Sequence, residues 1–425
     1  MACFKSASEG NGRRTLSLPT LIHLRLKAFV ASLFLLSGAE ALAQSGTAVV
    51  PSAENGLATG TRQTITLTAT ARSYTVGAAK VDESVAPFSW HLTSPHLELR
   101  VSGSPMRLNA RPTTVSAWSP LQMRANIALR AGDTISVYGR TSSSPVSLDT
   151  AQIRAVGAVS TSVLDLTSQG LGVPAQIGTR VLVSFPVGDF VIGASGALEQ
   201  DARPQGLGAT YWLGTTVRGA LSFNAVLGEG KLALGADVSH STADSLGGRN
   251  QFPGGGAVDL TAEYSGPLGE DGKFWFSGDG FYTRPFGNAR SDQPTRLIPT
   301  GDLIGLTGSV TLETGSVVWS PTVTVLRESS RANVTVQQGL QRLQSSLTAG
   351  AWSVAGGLSV DIPFGKSLTL SPEIGAVSGS VSSTYTQTAG RGVIRRGRGV
   401  GGSSASRTQD GISGVWGGIG VSARF

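Results

Sequence analysis

From Ile177 to the end of the chain, segments of about ten residues alternate apolar and polar side chains. The connections between them are by turns short and long. Period-two alternation makes strands whose two faces meet different surroundings, and no helix pattern fits it. The short connections are Pro186-Val187-Gly188-Asp189, Leu227-Gly228-Glu229-Gly230, residues 266–272, Glu313-Thr314-Gly315-Ser316 and Pro363-Phe364-Gly365-Lys366. Each carries Gly or Pro where a hairpin needs special backbone angles. Upstream, Arg130-Ala131-Gly132-Asp133 joins two apolar runs in the same style. The long connections are expected at 200–210, 241–256, 284–301, 328–346 and 381–410, all rich in small polar residues and Arg.

Alternation assigns faces. Leu232, Leu234, Ala236 and Val238 oppose Lys231, Gly235, Asp237 and Ser239. Val258, Leu260, Ala262 and Tyr264 oppose Asp259, Thr261 and Glu263, and Ile304, Leu306, Val310 and Leu312 oppose Thr307, Ser309 and Thr311. Trp352, Val354, Leu358 and Val360 oppose Ser353, Ser359 and Asp361. A soluble β-sandwich alternates too, but it does not gather short turns at one rim and long loops at the other.

Composition narrows the solvent on each face. Only 14% of the residues are charged, against about a quarter in a soluble domain, and 57 are glycine. Beyond the N-terminus no apolar run reaches the roughly 18 residues of a membrane helix. The N-terminus itself reads as an export signal: Arg13, Arg14, Arg25 and Lys27 precede the apolar run 28–36, and Ala41-Leu42-Ala43 supplies a small-x-small cleavage pattern. The expected domains are therefore a signal peptide at 1–43, cleaved near Ala43-Gln44, a segment at 44–86, and a strand domain at 87–425. Residues 44–86 read as periplasmic or as a piece tucked into the lumen.

Cys3, the one cysteine, leaves with the signal, so the mature chain has no disulfide, thiolate chemistry or cysteine metal site. The whole chain carries 34 Lys and Arg against 27 Asp and Glu; five of the basic and two of the acidic residues lie in 1–43. The remaining 29 and 25 balance at +4, too mild for a nucleic-acid partner. No cofactor motif is present: Gly254-Gly255-Gly256 lacks the Lys-Ser/Thr and the helix of a phosphate loop.

The chain ends Val415-Trp416-Gly417-Gly418-Ile419-Gly420-Val421-Ser422-Ala423-Arg424-Phe425. Ile419, Val421, Ala423 and Phe425 share one face at period two. This final strand resembles the assembly signal of Gram-negative outer membrane β-barrel proteins, although Gly417 and Ala423 are smaller than the residues usual there. The resemblance covers roughly residues 120–425 at the level of the class. It implies an antiparallel transmembrane β-barrel with both termini periplasmic, located in the outer membrane. Its implied partners are outer membrane lipid, lipopolysaccharide and the barrel-assembly machinery. Eleven strands after Ile177, the hairpin at Arg130–Asp133 and one earlier strand within 87–103 give about 14, with 12 as the alternative.

Such a barrel is expected to be a porin-like channel or uptake transporter for small molecules. An outer membrane lipid-ester hydrolase, or a structural or adhesive barrel with binding loops, are the alternatives. Asp237, Asp259 and Asp279, with Glu263 nearer its turn, form an expected inward acidic band favouring cations. Pairing with Lys231 or Arg218 is the plainer reading of the same carboxylates. His240, in Ser239-His240-Ser241-Thr242, is the only candidate base. A barrel-face His with a hydroxyl two residues on loosely resembles outer membrane phospholipases and lipid A deacylases, but position 242 is Thr and the Asn spacing differs. His91 and His96 flank Pro95 without the ligands a metal needs. Arg391, Arg395, Arg396 and Arg398 form a basic loop suited to lipopolysaccharide phosphates, or to the pore mouth if folded inward. Tyr211, Trp212, Trp275, Tyr282, Trp319, Trp352 and Trp416 suit interfacial girdles, and residues 338–347 suit a short loop helix.

Overall fold

A computed structural model describes residues 61–110, 113–130, 132–141, 164, 175–201, 211–212, 214–242, 244–246, 249–252, 255–268, 274–286, 301–338, 341–389 and 403–425. The export signal and the basic loop at Arg391, Arg395, Arg396 and Arg398 lie outside these residues.

The described chain forms strands β1 to β22. Sixteen of them close an antiparallel ring. From β1 (Arg62–Val76) the ring runs through β3 (Phe88–Thr93), β4 (Leu97–Gly103), β7 (Gln122–Arg130), β8 (Asp133–Arg140), β9 (Gln176–Val187) and β10 (Phe190–Asp201). It continues through β12 (Thr215–Leu227), β13 (Gly230–Ser241), β16 (Gly256–Leu268), β17 (Phe274–Phe286) and β18 (Asp302–Thr314). β19 (Val317–Gln338), β20 (Gln341–Phe364), β21 (Leu368–Ala389) and β22 (Ser403–Arg424) complete the circuit, and β22 pairs with β1 from Thr64↔Arg424 to Val76↔Ile412. Phe425 seals the seam, because its N–H donates to Gln63 O at 2.9 Å and its carbonyl accepts from Gln63 N at 3.1 Å. A ring leaves no edge strand, and that is what allows a sheet to sit in hydrocarbon.

The count is sixteen rather than about fourteen. The segment 87–103 is two strands, β3 and β4, turned at Ser94–His96, and Arg62–Val76 is a wall strand rather than part of a periplasmic or lumen segment. The boundary expected at residue 87 thus falls between β2 and β3, inside the sheet.

The turns at one rim behave as their glycines suggest. Val187 pairs with Phe190 across Gly188-Asp189, and Gly188 adopts φ +63°, a left-handed value that glycine reaches without strain. At the other rim β19 to β22 run on for 22 to 24 residues, about twice what a bilayer needs. Where a helix is expected at 338–347, Gln338 ends β19 and Gln341 opens β20, the two residues paired to each other. Gln, Arg and Leu there suit a helix, but pairing with Val334-Thr335-Val336 of β19 extends the ladder and overrides that local preference. Among the described residues, 328–338, 341–346, 381–389 and 403–410 are likewise strand where loops are expected.

The outside of the ring is apolar. Leu67, Ile127, Phe185, Leu221, Leu306 and Ile374 point outward and are exposed, while their neighbours at i±1 face in. The three remaining long-range strands, β2 (Ala79–Val85), β5 (Pro105–Ala110) and β6 (Thr113–Trp118), leave the ring. β2 pairs with the upper half of β1, β5 with β2, and β6 with β5. This small sheet curls inward and packs on the inner surface of β19–β22. Its Val81, Val85, Met106, Leu108, Ala110, Val115 and Ala117 share a core with Tyr74, Val76, Ala351, Val377 and Ile412. Leu164, from the connection between β8 and β9, joins the same core.

Prolines mark the line where the sheet turns in: Pro87 before β3, Pro105 opening β5 and Pro120 after β6. A proline has no N–H to give to a ladder, so the hydrogen bonds are handed across the bend. Ala86 N donates to Pro105 O at 3.0 Å, and Ser119 N to Ser104 O at 2.8 Å. β11 (Tyr211–Trp212), β14 (Asp244–Leu246) and β15 (Arg249–Phe252) form a separate three-stranded sheet.

Candidate functional site

Alternation that sends Leu and Val outward sends the polar residue of each pair into the barrel, and the wall from β4 to β17 is lined this way. Arg180 of β9 lies opposite Ala197 of β10, which lies opposite Arg218 of β12, so the two arginines share one row. One row lower, Asp237 of β13 faces Asp259 of β16 as a direct register partner. Like charges so placed repel, and the two arginines offset that. Arg180 Nη2 reaches Asp237 Oδ2 at 3.1 Å, and Arg218 Nη1 lies 3.6 Å from Asp237 Oδ1. Arg218 Nε in turn sits 2.9 Å from Glu199 Oε1, which also accepts from the Tyr138 hydroxyl at 2.7 Å. Gln176 Nε2 donates to the other oxygen of Glu199 at 3.3 Å.

A second group lies on β3, β4 and β7. Glu98 accepts from Asn126 Nδ2 at 2.8 Å and meets His91 Nε2 at 2.8 Å, while Arg124 Nε donates to Asn126 Oδ1 at 2.9 Å. The imidazole of His91 is thus held by a carboxylate. Among the described residues no group of three or more His, Cys, Asp or Glu is arranged for a metal.

All four residues of the expected acidic band face inward, but the structure does not make them one feature. Asp237 is the centre of an ion-pair network, with Arg218 a partner as the plainer reading has it. Asp259 beside it is 4% exposed, and its Oδ1 has no hydrogen-bond partner. Glu263 and Asp279 form a separate cross-strand pair nearer the short turns. Arg180 and Glu199 were not foreseen. Their signal was present, since both occupy inward positions of alternating strands, but pairing across β9, β10, β12 and β13 requires the register.

His240 points outward. It is exposed, on the same side of β13 as Val238, and opposite Gly256. Thr242 Oγ1 accepts the Thr215 N–H at 2.9 Å. No hydroxyl or carboxylate among the described residues hydrogen-bonds the His240 ring. The aromatics divide likewise: Trp319 and Trp352 are exposed on the outer surface as a girdle requires, whereas Trp275 and Trp416 lie on the inner face. Trp416 packs against the inner core and covers Gly375, where a Cβ would collide with its ring, and Gly357, where a Cβ would touch it closely. Tyr211 and Trp212 belong to the separate small sheet. At the C-terminus, Ile419, Val421 and Phe425 share the exposed outer face, as the alternation of the final strand implies.

An edgeless sheet, apolar outside and lined with ion pairs inside, defines a transmembrane β-barrel with a polar interior. No family model and no curated relative matches the chain. Solved structures resemble it at low similarity. OccK5 (OpdH) of Pseudomonas aeruginosa is 10% identical, with 87% of this chain and 99% of that one aligned at a TM-score of 0.33. OprB of Pseudomonas putida is 9% identical, with 86% and 94% aligned at a TM-score of 0.43. OccAB3 of Acinetobacter baumannii is 7% identical, with 86% and 99% aligned at 0.33. Likeness at this level transfers no function.

Proposed function

We propose that this chain is an outer membrane channel through which small hydrophilic solutes cross. The observation that carries the reading is the inversion of polarity between the two faces of one closed wall. Leu, Ile and Val are exposed outside, while Arg180, Arg218, Glu199, Asp237 and Asp259 face the interior. Charged side chains on a lumen face suit water and ions, whereas on the lipid face each arginine would cost about 2–4 kcal/mol at the bilayer centre, and each carboxylate somewhat less. A sixteen-stranded ring is wide enough to leave an aqueous lumen. The inner sheet, packed on the inner face of β19–β22, narrows that lumen.

The mixed network makes the wall locally near neutral rather than a cation filter, because two guanidiniums stand among three carboxylates. An export signal, the exposed C-terminal apolar face and the two kinds of rim support an outer membrane location. The test is single-channel recording of the refolded mature chain in planar bilayers under a salt gradient. Stable conductance steps are expected. A folded protein that never conducts sinks the channel reading.

A further inference from the structure

The row of the inner wall that holds Asp237 and Asp259 continues onto β17, where Thr283 is the direct register partner of Asp259. Cross-strand partners hold their Cβ atoms about 4.5–5.5 Å apart, so Asp259 has an oxygen-bearing side chain on either side. One oxygen of each of the three is buried without a hydrogen-bond partner: Asp237 Oδ1, Asp259 Oδ1 and Thr283 Oγ1. Asp237 Oδ1 lies 3.6 Å from Arg218 Nη1, too long for a hydrogen bond, so its lone pairs stay available.

The charges of this row do not balance. Arg180 is engaged by Asp237. Arg218, the guanidinium that feels Asp259 at longer range, is divided between Glu199 and Asp237. Arg100 and Arg124 stand on β4 and β7, on the far side of β8, β9, β10 and β12. No guanidinium or ammonium among the described residues comes within ion-pair distance of Asp259. Two positive charges thus face the three negative ones of Glu199, Asp237 and Asp259, and the charge left over is that of Asp259, which is 4% exposed. An ionised carboxylate so far from water is strongly disfavoured without a counter-charge. Its neighbour Asp237 adds repulsion.

We infer that Asp259, Asp237 and Thr283 hold a small monovalent cation of the sodium class. The three atoms that would bind it are all oxygen, two from carboxylates and one from a hydroxyl, which suits a hard cation. Charge decides the valence. One positive charge makes the ion, two guanidiniums and three carboxylates neutral, whereas calcium leaves an excess of one. Burial decides the size, because strands about 4.8 Å apart leave no room for a bulky organic cation between their side chains. The ion ties β13, β16 and β17 together through their inward faces. It is a structural ion of the wall, and the inference stands whether or not the barrel conducts.

The test is urea unfolding of the folded protein in detergent at constant ionic strength and neutral pH, with sodium chloride replaced stepwise by tetramethylammonium chloride. A ligand that binds only the folded state raises the midpoint with its concentration. The wild-type midpoint is expected to rise with sodium and to level off. Asp259→Asn, of the same shape without the charge, is expected to fold and to lose the sodium dependence. Thr283→Val, which keeps every charge, should need severalfold more sodium for the same rise, and it decides alone if Asp259→Asn does not fold. Glu263→Gln, further along the same face of β16, should respond as wild type. A wild-type midpoint indifferent to sodium overturns the inference, as does an Asp259→Asn midpoint that rises as far as wild type. A wild-type midpoint that moves with pH but not with sodium places a proton on the pair and overturns it equally. A response to calcium and not to sodium overturns the charge count.

Discussion

Leu108→Asp separates the inner sheet from the ring that surrounds it. Leu108 is 1% exposed and lies directly opposite Glu83, itself buried and paired with Arg72 at 3.1 Å. The docking face carries five larger apolar side chains, Val81, Val85, Met106, Leu108 and Val115. At about 1.5–3 kcal/mol for each side chain withdrawn from water, they hold the sheet down by about 10 kcal/mol. Leu108→Asp removes one of these terms and sets a second carboxylate beside Glu83 in apolar surroundings, at a cost of several kcal/mol more. Together these approach the whole docking energy. The ring, closed by backbone ladders that Leu108 does not share, is expected to survive. Two assays read the outcome. Trypsin should cut after Arg107 in the variant and not in wild type, and the unitary conductance should rise as the lumen clears. Leu108→Met, which conserves volume and costs about 1 kcal/mol, should behave as wild type in both. The reasoning fails if Leu108→Asp folds with unchanged conductance and unchanged resistance to trypsin. It fails equally if the whole barrel unfolds, since that would mean sheet and ring are one cooperative unit.

Three further outcomes follow from the geometry. Asp237→Asn leaves the guanidinium of Arg180, 4% exposed, without its carboxylate. It should destabilise the barrel by about 3–5 kcal/mol in urea titration and move the reversal potential toward anions. Trp416→Ala opens the space over Gly375 and Gly357 and should cost about 3–5 kcal/mol, whereas Trp352→Ala, exposed on the outer face, should cost far less in the same titration. Deleting Phe425 removes both seam hydrogen bonds to Gln63, so the heat-modifiable fraction recovered from membranes should fall severalfold while expression is unchanged.

The wall from β9 to β22 was legible in the sequence because Leu, Val and Ile return at every second residue between turns that carry Gly or Pro. The beginning of the chain was not. β1 offers Ile65 and Leu67 to the outside and then Ala69, Ala71 and Ser73, so its outward face fades half-way along. Pro87 and Pro95 look like interruptions of one strand, yet one marks a bend and the other a hairpin. The inner sheet alternates as well as any wall strand, and nothing local distinguishes packing on protein from packing on lipid. At the site, the inward direction of Asp237, Asp259, Glu263 and Asp279 was readable from parity. Whether each is free or paired depends on Arg180, which lies 57 residues from its partner Asp237 and meets it only through the stagger of the strands.

The seam between β1 and β22 has a consequence for how the molecule is made. β1 pairs with β22 on one edge and with β2 on the other, and the sheet that begins at β2 rests on the inner faces of β20–β22. The Thr70 hydroxyl donates to Glu373 at 3.1 Å across a sequence separation of 303 residues. The first strands to be synthesised therefore wait for the last, and loop-closure entropy slows such distant pairing. The stopper also has to be in the bottle before the neck is sealed. Zipping of the seam and docking of the sheet share a strand and form a single late event, so a chain arrested before that event would present an open β22 edge together with the uncovered inner faces of Ala351, Val377 and Ile412.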